Sequence, residues 1–297
     1  MRSISRFGAA AAALAAVAVG GAPVAAADAA VQPDPVGSVI YDRLVKNADG
    51  TFKTNGTGGY FAQDPYTDHA VTRKIGTLWT NGQCSASVLQ TRTGAVAITA
   101  RHCTDGDDAL VNEGKVKFYP ATHNRQNPYG EWIVDRVFTT ETRVDGSVPD
   151  VAVLAIRPRD EGGRLRVVSD VTGGGLGIHP ALTSTSSVRS TLIGYPGPAP
   201  YNGVTQAACV GDYTYYPNAG RGAIRRVSTQ SECQIGGGSS GGPYVTATAN
   251  GPQIITVLNS NGGSVIAGVT PGLVTEAEKW LTDKYPKLNR PSTGSAG

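Results

Sequence analysis

The stretch IGTLWTNGQCSASVLQTRTGAVAITARHC, residues 75–103, sets the texture of the chain. It holds three short apolar or β-branched runs, over 75–80, 86–90 and 95–100, with Asn, Gly and Thr between them. Runs of that length are strand-sized and too short for helices. Moving outward, the same texture returns over 115–119, 132–138, 151–156, 190–195, 253–258 and 264–269, each bounded by Gly, Pro, Asn or Asp. Many short strands punctuated by turn residues predict an all-β antiparallel sandwich or barrel. The regular strand–helix alternation of a doubly wound α/β fold is missing. One helix is predicted, in VTEAEKWLTDKYP (274–286). Thr275 and Glu278 have capping-box spacing, Val274, Ala277, Trp280 and Leu281 share a face, and Pro286 stops it.

Composition narrows the class. At 40% hydrophobic the chain can bury a core, which excludes wholesale disorder. A formal charge of +3 is too small for broad phosphate neutralisation, so a nucleic-acid partner is not expected. The first residues carry Arg2 and Arg6, then an Ala/Leu/Val run over 9–19, then the small residues Ala25, Ala26 and Ala27. That order predicts a signal peptide over 1–27, with an apolar run too short to span a bilayer. Losing Arg2 and Arg6 lowers the charge from +3 to +1. Residues 28–74 are polar and weakly patterned, a pro-segment or an N-terminal arm. Residues 289–297, rich in Pro, Ser and Gly, read as a disordered tail. The even count of four cysteines, Cys84, Cys103, Cys209 and Cys233, in an exported chain predicts two disulfides. A zinc site is the rival reading, but no C-x-x-C occurs, and no metal or other cofactor is expected.

Three local sequences carry the chemistry: ITARHC (98–103), PDVAVLAI (149–156) and GGGSSGGPY (236–244). Each has a bland explanation alone: a surface His, a turn Asp, a flexible Gly/Ser loop. Their order adds information, because His102 precedes Asp150 by 48 residues and Asp150 precedes Ser240 by 90. A serine hydroxyl becomes nucleophilic only when a base takes its proton. An imidazole titrates near neutrality and can take and return it, and a carboxylate can fix the imidazole's tautomer. Gly238-Ser239-Ser240-Gly241-Gly242 also fits the G-x-S-x-G elbow of lipases and esterases. That fold needs a later His, whereas His69, His102, His123 and His179 all precede Ser240.

The three segments resemble the TAAHC, DIAL and GDSGGP motifs of the chymotrypsin/trypsin-like serine peptidases, over residues 75–288. CSASVL (84–89) and LIGYPG (192–197) look most like the bacterial glutamyl-endopeptidase-like branch. The resemblance implies two packed antiparallel β-barrels with a C-terminal helix, and a secreted, monomeric endopeptidase with polypeptide substrates and no membrane attachment after signal cleavage. It implies a catalytic triad of His102, Asp150 and Ser240, with an oxyanion hole formed by the amides of Gly238 and Ser240. It also implies that Cys84 pairs with Cys103 to brace the histidine, which leaves Cys209 with Cys233.

Two departures from the family pattern stand out. Arg101 occupies a position that is small and buried in the family, so its side chain must reach solvent or a partner. Ser239 replaces the Asp that pairs with a freshly cut N-terminal amine in trypsin-like members. Cutting after Lys74 would expose Ile75, but no carboxylate awaits that amine. By resemblance the specificity pocket has Gln234 at its floor and Asn259, Ser260 and Asn261 along a polar wall. No Asp stands there to favour Lys or Arg, and ITVLNSNGG (255–263) lacks the His that glutamyl members use. A catalytically silent relative and a β-sandwich binding module are the rival readings.

Overall fold

The computed structural model describes residues 35–56, 58–183, 187–226, 233, 235–260 and 262–288. The expected signal peptide and the tail 289–297 lie outside the described residues, as do Gln234 and Asn261.

Six antiparallel strands close the first barrel: Ile75–Trp79, Gln83–Val88, Val96–Thr99, Lys117–Pro120, Trp132–Phe138 and Ala152–Ile156. Ile75–Trp79 closes the ring by pairing with both Gln83–Val88 and Lys117–Pro120. Every residue of Ala152–Ile156 is buried. The run AVLAI is continuous rather than alternating because one face lines the barrel and the other is covered by the C-terminal helix. That helix buries Leu273, Ala277 and Leu281.

The second ring runs Ala207–Tyr215, Ser187–Gly194, Pro243–Thr248, Gly251–Asn259, Gly262–Gly263, Ile224–Arg226 and back to Ala207–Tyr215. Closure of both sheets removes the exposed edges that short strands would otherwise present. The result is the chymotrypsin-like double barrel with a C-terminal helix.

Residues 35–74 pack onto this body. Gly59–Phe61 adds to the second barrel by pairing antiparallel with Ala207, Ala208 and Cys209. Ile40, Leu44, Tyr60, Tyr66 and Val71 are buried. The Tyr66 hydroxyl accepts the Gln206 amide at 2.8 Å, and Gln206 Nε2 donates to Thr72 O and Ile75 O.

Some elements differ from the sequence expectation. The expected strand over 264–269 is absent: only Gly262–Gly263 pairs, and the chain then turns into the helix through bonds from Val269 N and Thr270 N to Ile266 O. The helix is Thr270–Lys284, starting one turn earlier than expected, with proline in its first turn. Thr275 is therefore no cap; its hydroxyl donates back to Pro271 O, and Glu278 accepts the Thr93 amide instead. Two central strands were not anticipated, Ala207–Tyr215 and Pro243–Thr248. Gly211-Asp212 breaks the apolar pattern of the first, yet Gly211 lies tightly beneath Arg226, where a Cβ would sit 2.4 Å from Nε. The second starts at Pro243, a place where a proline needs no ladder donor.

Candidate active site

His102 sits in the one-turn helix Arg101–Cys103 that follows the strand Val96–Thr99. That strand pairs antiparallel with Ala152–Ile156, Thr99 opposite Ala152. Antiparallel pairing sets the residues after Thr99 beside those before Ala152, so His102 and Asp150 share one barrel rim. Two bonds join them: the His102 backbone amide donates to Asp150 Oδ1 at 2.9 Å, and His102 Nδ1 donates to Oδ2 at 2.9 Å. Asp150 is buried, 3% exposed, whereas the imidazole is 37% exposed. The bond from Asp150 raises the His102 pKa above the ordinary 6.5, against burial and the nearby Arg221 charge. Burial, the largest single influence, pushes the Asp150 carboxyl upward, but the two His102 bonds together with the His102 and Arg221 charges outweigh it and hold the group below its ordinary value. The Asp150 amide is itself anchored, donating to Ser264 Oγ at 2.9 Å.

Cys84 and Cys103 form a disulfide, as do Cys209 and Cys233. The first links the residue after His102 to the neighbouring strand. Cys84, His102 and Cys103 offer ligand atoms within 4.8 Å of one another, but the two sulfurs are bonded to each other and unavailable as thiolates. Arg101 reaches outward, as its length requires. Its guanidinium donates to Thr140 O at 3.0 Å and pairs with Glu141 at 2.6 Å and Asp105 at 3.3 Å.

Ser240 comes from the second barrel, yet its loop docks on the first. Ser85 N donates to Ser240 O at 2.7 Å. Gly241, at φ +79°, lies so close to the His102-bearing rim that a Cβ would sit 2.1 Å from Thr99 Oγ1 and 2.8 Å from Ala100 N. Only glycine suits both that conformation and that approach. Among the described residues no hydrogen bond joins His102 to Ser240, and His102 Nε2 lies 3.9 Å from Cys103 Sγ.

The loop 235–240 shows a one-sided pattern of hydrogen bonding. Each of its carbonyl oxygens accepts a bond: Ile235 and Gly236 from Ser239 Oγ, Gly237 from Gly197 N, Gly238 from Ser85 Oγ, Ser239 from Gly242 N and Ser240 from Ser85 N. The amides of Gly238 and Ser240 have no partner among the described residues. A backbone with its acceptors occupied and these donors open is suited to an anion.

Of the expected pocket residues, Ser260 is exposed and Asn259 is buried, its amide donating to Arg221 O and to Ser264 Oγ. The other histidines have local partners. His69 Nδ1 accepts the Val71 amide, His123 stacks on Tyr66 at 5.0 Å, and His179 Nδ1 meets Pro180 O. Sequence reasoning missed Ser85, Ser239 as a loop tether, and Ser264. Nothing local distinguishes these from the chain's other serines.

No protein-family model and no curated protein matches the chain. Solved structures do. A thermostable serine protease, AL20, from an extremophilic microorganism shares 22% identity, covering 71% of this chain and 99% of that one at a TM-score of 0.50. A Glu endopeptidase shares 16% identity, covering 74% and 96%, also at a TM-score of 0.50. At these identities the likeness establishes the fold, which is the one that serine proteases use. Among the described residues no helix is long and apolar enough to cross a membrane.

Proposed function

We propose that the chain is an exported serine endopeptidase that cleaves polypeptides through an acyl-enzyme on Ser240. The observation that carries this reading is the two-point bond between His102 and Asp150 at the rim where the Ser240 loop docks. The disulfides suit an oxidising, extracellular setting.

In the proposed reaction Ser240 Oγ attacks the scissile carbonyl carbon while its proton passes to His102 Nε2. The imidazolium is stabilised by Asp150, which also holds the proton on Nδ1. The oxygen that becomes negative is met by the amides of Gly238 and Ser240, each such donor typically contributing roughly 3–4 kcal/mol. Collapse breaks the C–N bond, and His102 returns the proton to the departing amine. Water then attacks the ester with His102 again as base, releasing the new carboxyl terminus and the serine hydroxyl. The open His102–Ser240 geometry is compatible with this route, since catalytic bonds are often long before substrate binds. The polar pocket assigned to Gln234, Asn259, Ser260 and Asn261 belongs to the same proposal, with Asn259 buttressing it from behind. The proposal includes a monomer that needs no cofactor.

The test is a fluorophosphonate probe together with casein hydrolysis. The expected result is a covalent adduct on Ser240 and turnover that Ser240→Ala abolishes. A chain that folds but takes no adduct and turns over no substrate is the catalytically silent binding relative instead.

A further inference from the structure

We infer that the Ser239 hydroxyl is the positioning group that keeps the loop 235–240 in its anion-accepting form, in place of an α-ammonium freed by a cut before Ile75. The inference rests on the peptidase reading above and deepens it.

Ser239 is fully buried, at 0% exposed. Its hydroxyl donates to the carbonyls of Ile235 and Gly236 in a three-centre bond. That bond folds the loop back on itself. It fixes the first two peptides, and Gly197 N and Ser85 Oγ fix the next two carbonyls, at 2.7 and 3.0 Å. Ser85 Oγ in turn accepts the Tyr195 amide at 2.9 Å, so the clasp is tied to the second barrel. Gly238, at φ +92°, supplies the turn, and a Cβ there would sit 2.6 Å from Tyr195 O. With all carbonyls of the loop held, the peptides cannot rotate to aim a carbonyl where the Gly238 and Ser240 amides are open. Gly194 packs closely on Ser239: a Cβ there would lie 2.8 Å from Ser239 Cβ.

The other half of the argument lies at Ile75. A cut before it would have to reach a bond between Lys74, 9% exposed, and Ile75, 0% exposed. Ile75 is already in use inside the first barrel. Its amide donates to Thr72 O, and its carbonyl accepts Ala121 N and Gln206 Nε2. A terminus released there would have to give up these bonds before it could reach the loop. A hydroxyl that is neutral and built into the loop does locally what an imported charge would do from a distance.

The experiment compares wild type with Ser239→Ala for peptide hydrolysis and for binding of a peptide boronate, which forms a tetrahedral anion on the serine. Losing one neutral tether is expected to lower kcat about tenfold with KM unchanged, and to weaken the boronate by the same factor. A structural defect alone would lower the active fraction, as titrated by fluorophosphonate, and would leave the kcat per labelled site intact. Should the alanine variant fail to fold, Ser239→Cys keeps the shape of the side chain with a slightly larger atom and weakens the donor, and it carries the same expectation. Peptide mapping of the fluorophosphonate-labelled wild type is expected to recover the Lys74 and Ile75 bond intact. Unchanged kcat per labelled site, an effect on KM alone, or activity confined to chains cut before Ile75 overturns the inference. A wild type that takes no label defeats the peptidase reading itself, and the inference with it.

Discussion

His102 and Asp150 are coupled twice, through the ring and through the backbone, and the second bond does not depend on the imidazole's protonation. The carboxylate therefore aims the ring as well as stabilising its charged form. In the proposed reaction His102 must be neutral to accept the serine proton, so kcat/KM is expected to rise as pH passes upward through the His102 pKa. Because Asp150 raises that pKa, the acid limb is expected above 6.5. Asp150→Asn removes the charge that favours imidazolium, so the limb should move to lower pH while kcat falls about 10⁴-fold from the wrong tautomer. A pH profile of both proteins checks this, and an unmoved limb contradicts the assignment. At this scale the residues proposed to carry the chemistry could be picked out in sequence, because few histidines and one Gly-flanked serine pair offered few choices. The supporting hydroxyls of Ser85, Ser239 and Ser264 were not, because a serine's role is set by which carbonyl or amide it meets.

Elements were legible where their burial was simple. The strand Trp132–Phe138 matches its expected bounds, and the fully buried Ala152–Ile156 came within a residue of them. The C-terminal helix was anticipated from its apolar face but not from its start, since the capping spacing at Thr275 and Glu278 falls inside it. Its far end is fastened by a contact that no local pattern announces. Asp135, 1% exposed, pairs with Arg157 at 2.6 Å and Lys284 at 3.2 Å, and accepts the Tyr285 hydroxyl. Those bonds hold its carboxyl below the ordinary value although burial pushes it up. Asp135→Ala removes the shared partner of Arg157 and Lys284, which are each 43% exposed and can turn to water, and of the Tyr285 hydroxyl, so it is expected to cost roughly 1.5 kcal/mol. Urea denaturation measures it, and a loss under about 1 kcal/mol would mean the helix is held by its apolar face alone.

At the scale of the whole molecule the arm 35–74 belongs to the folded body. Ile40, Leu44, Tyr60, Tyr66 and Val71 are each buried against the barrels. Each contributes roughly 2 kcal/mol on burial, so together they rival the about 5–15 kcal/mol by which a typical domain is stable. A chain lacking residues 35–74 is therefore expected to lose cooperative thermal unfolding, as followed by near-ultraviolet circular dichroism. A Tm equal to that of the full chain would show the arm to be dispensable.

The amino-acid order by itself determined that this is a strand-rich protein with His102, Asp150 and Ser240 in that succession, and it carries the N-terminal pattern on which the proposal of export rests. Strand length, turn residues and an N-terminal export pattern are local properties, readable wherever they occur. The closed barrels decided the rest: that Asp150 grips His102 at two points, that Gly241 brings the Ser240 loop onto the opposite barrel, and that Ser239 is turned inward. These depend on contacts between residues far apart in the chain, whose partners exist only once both sheets have closed.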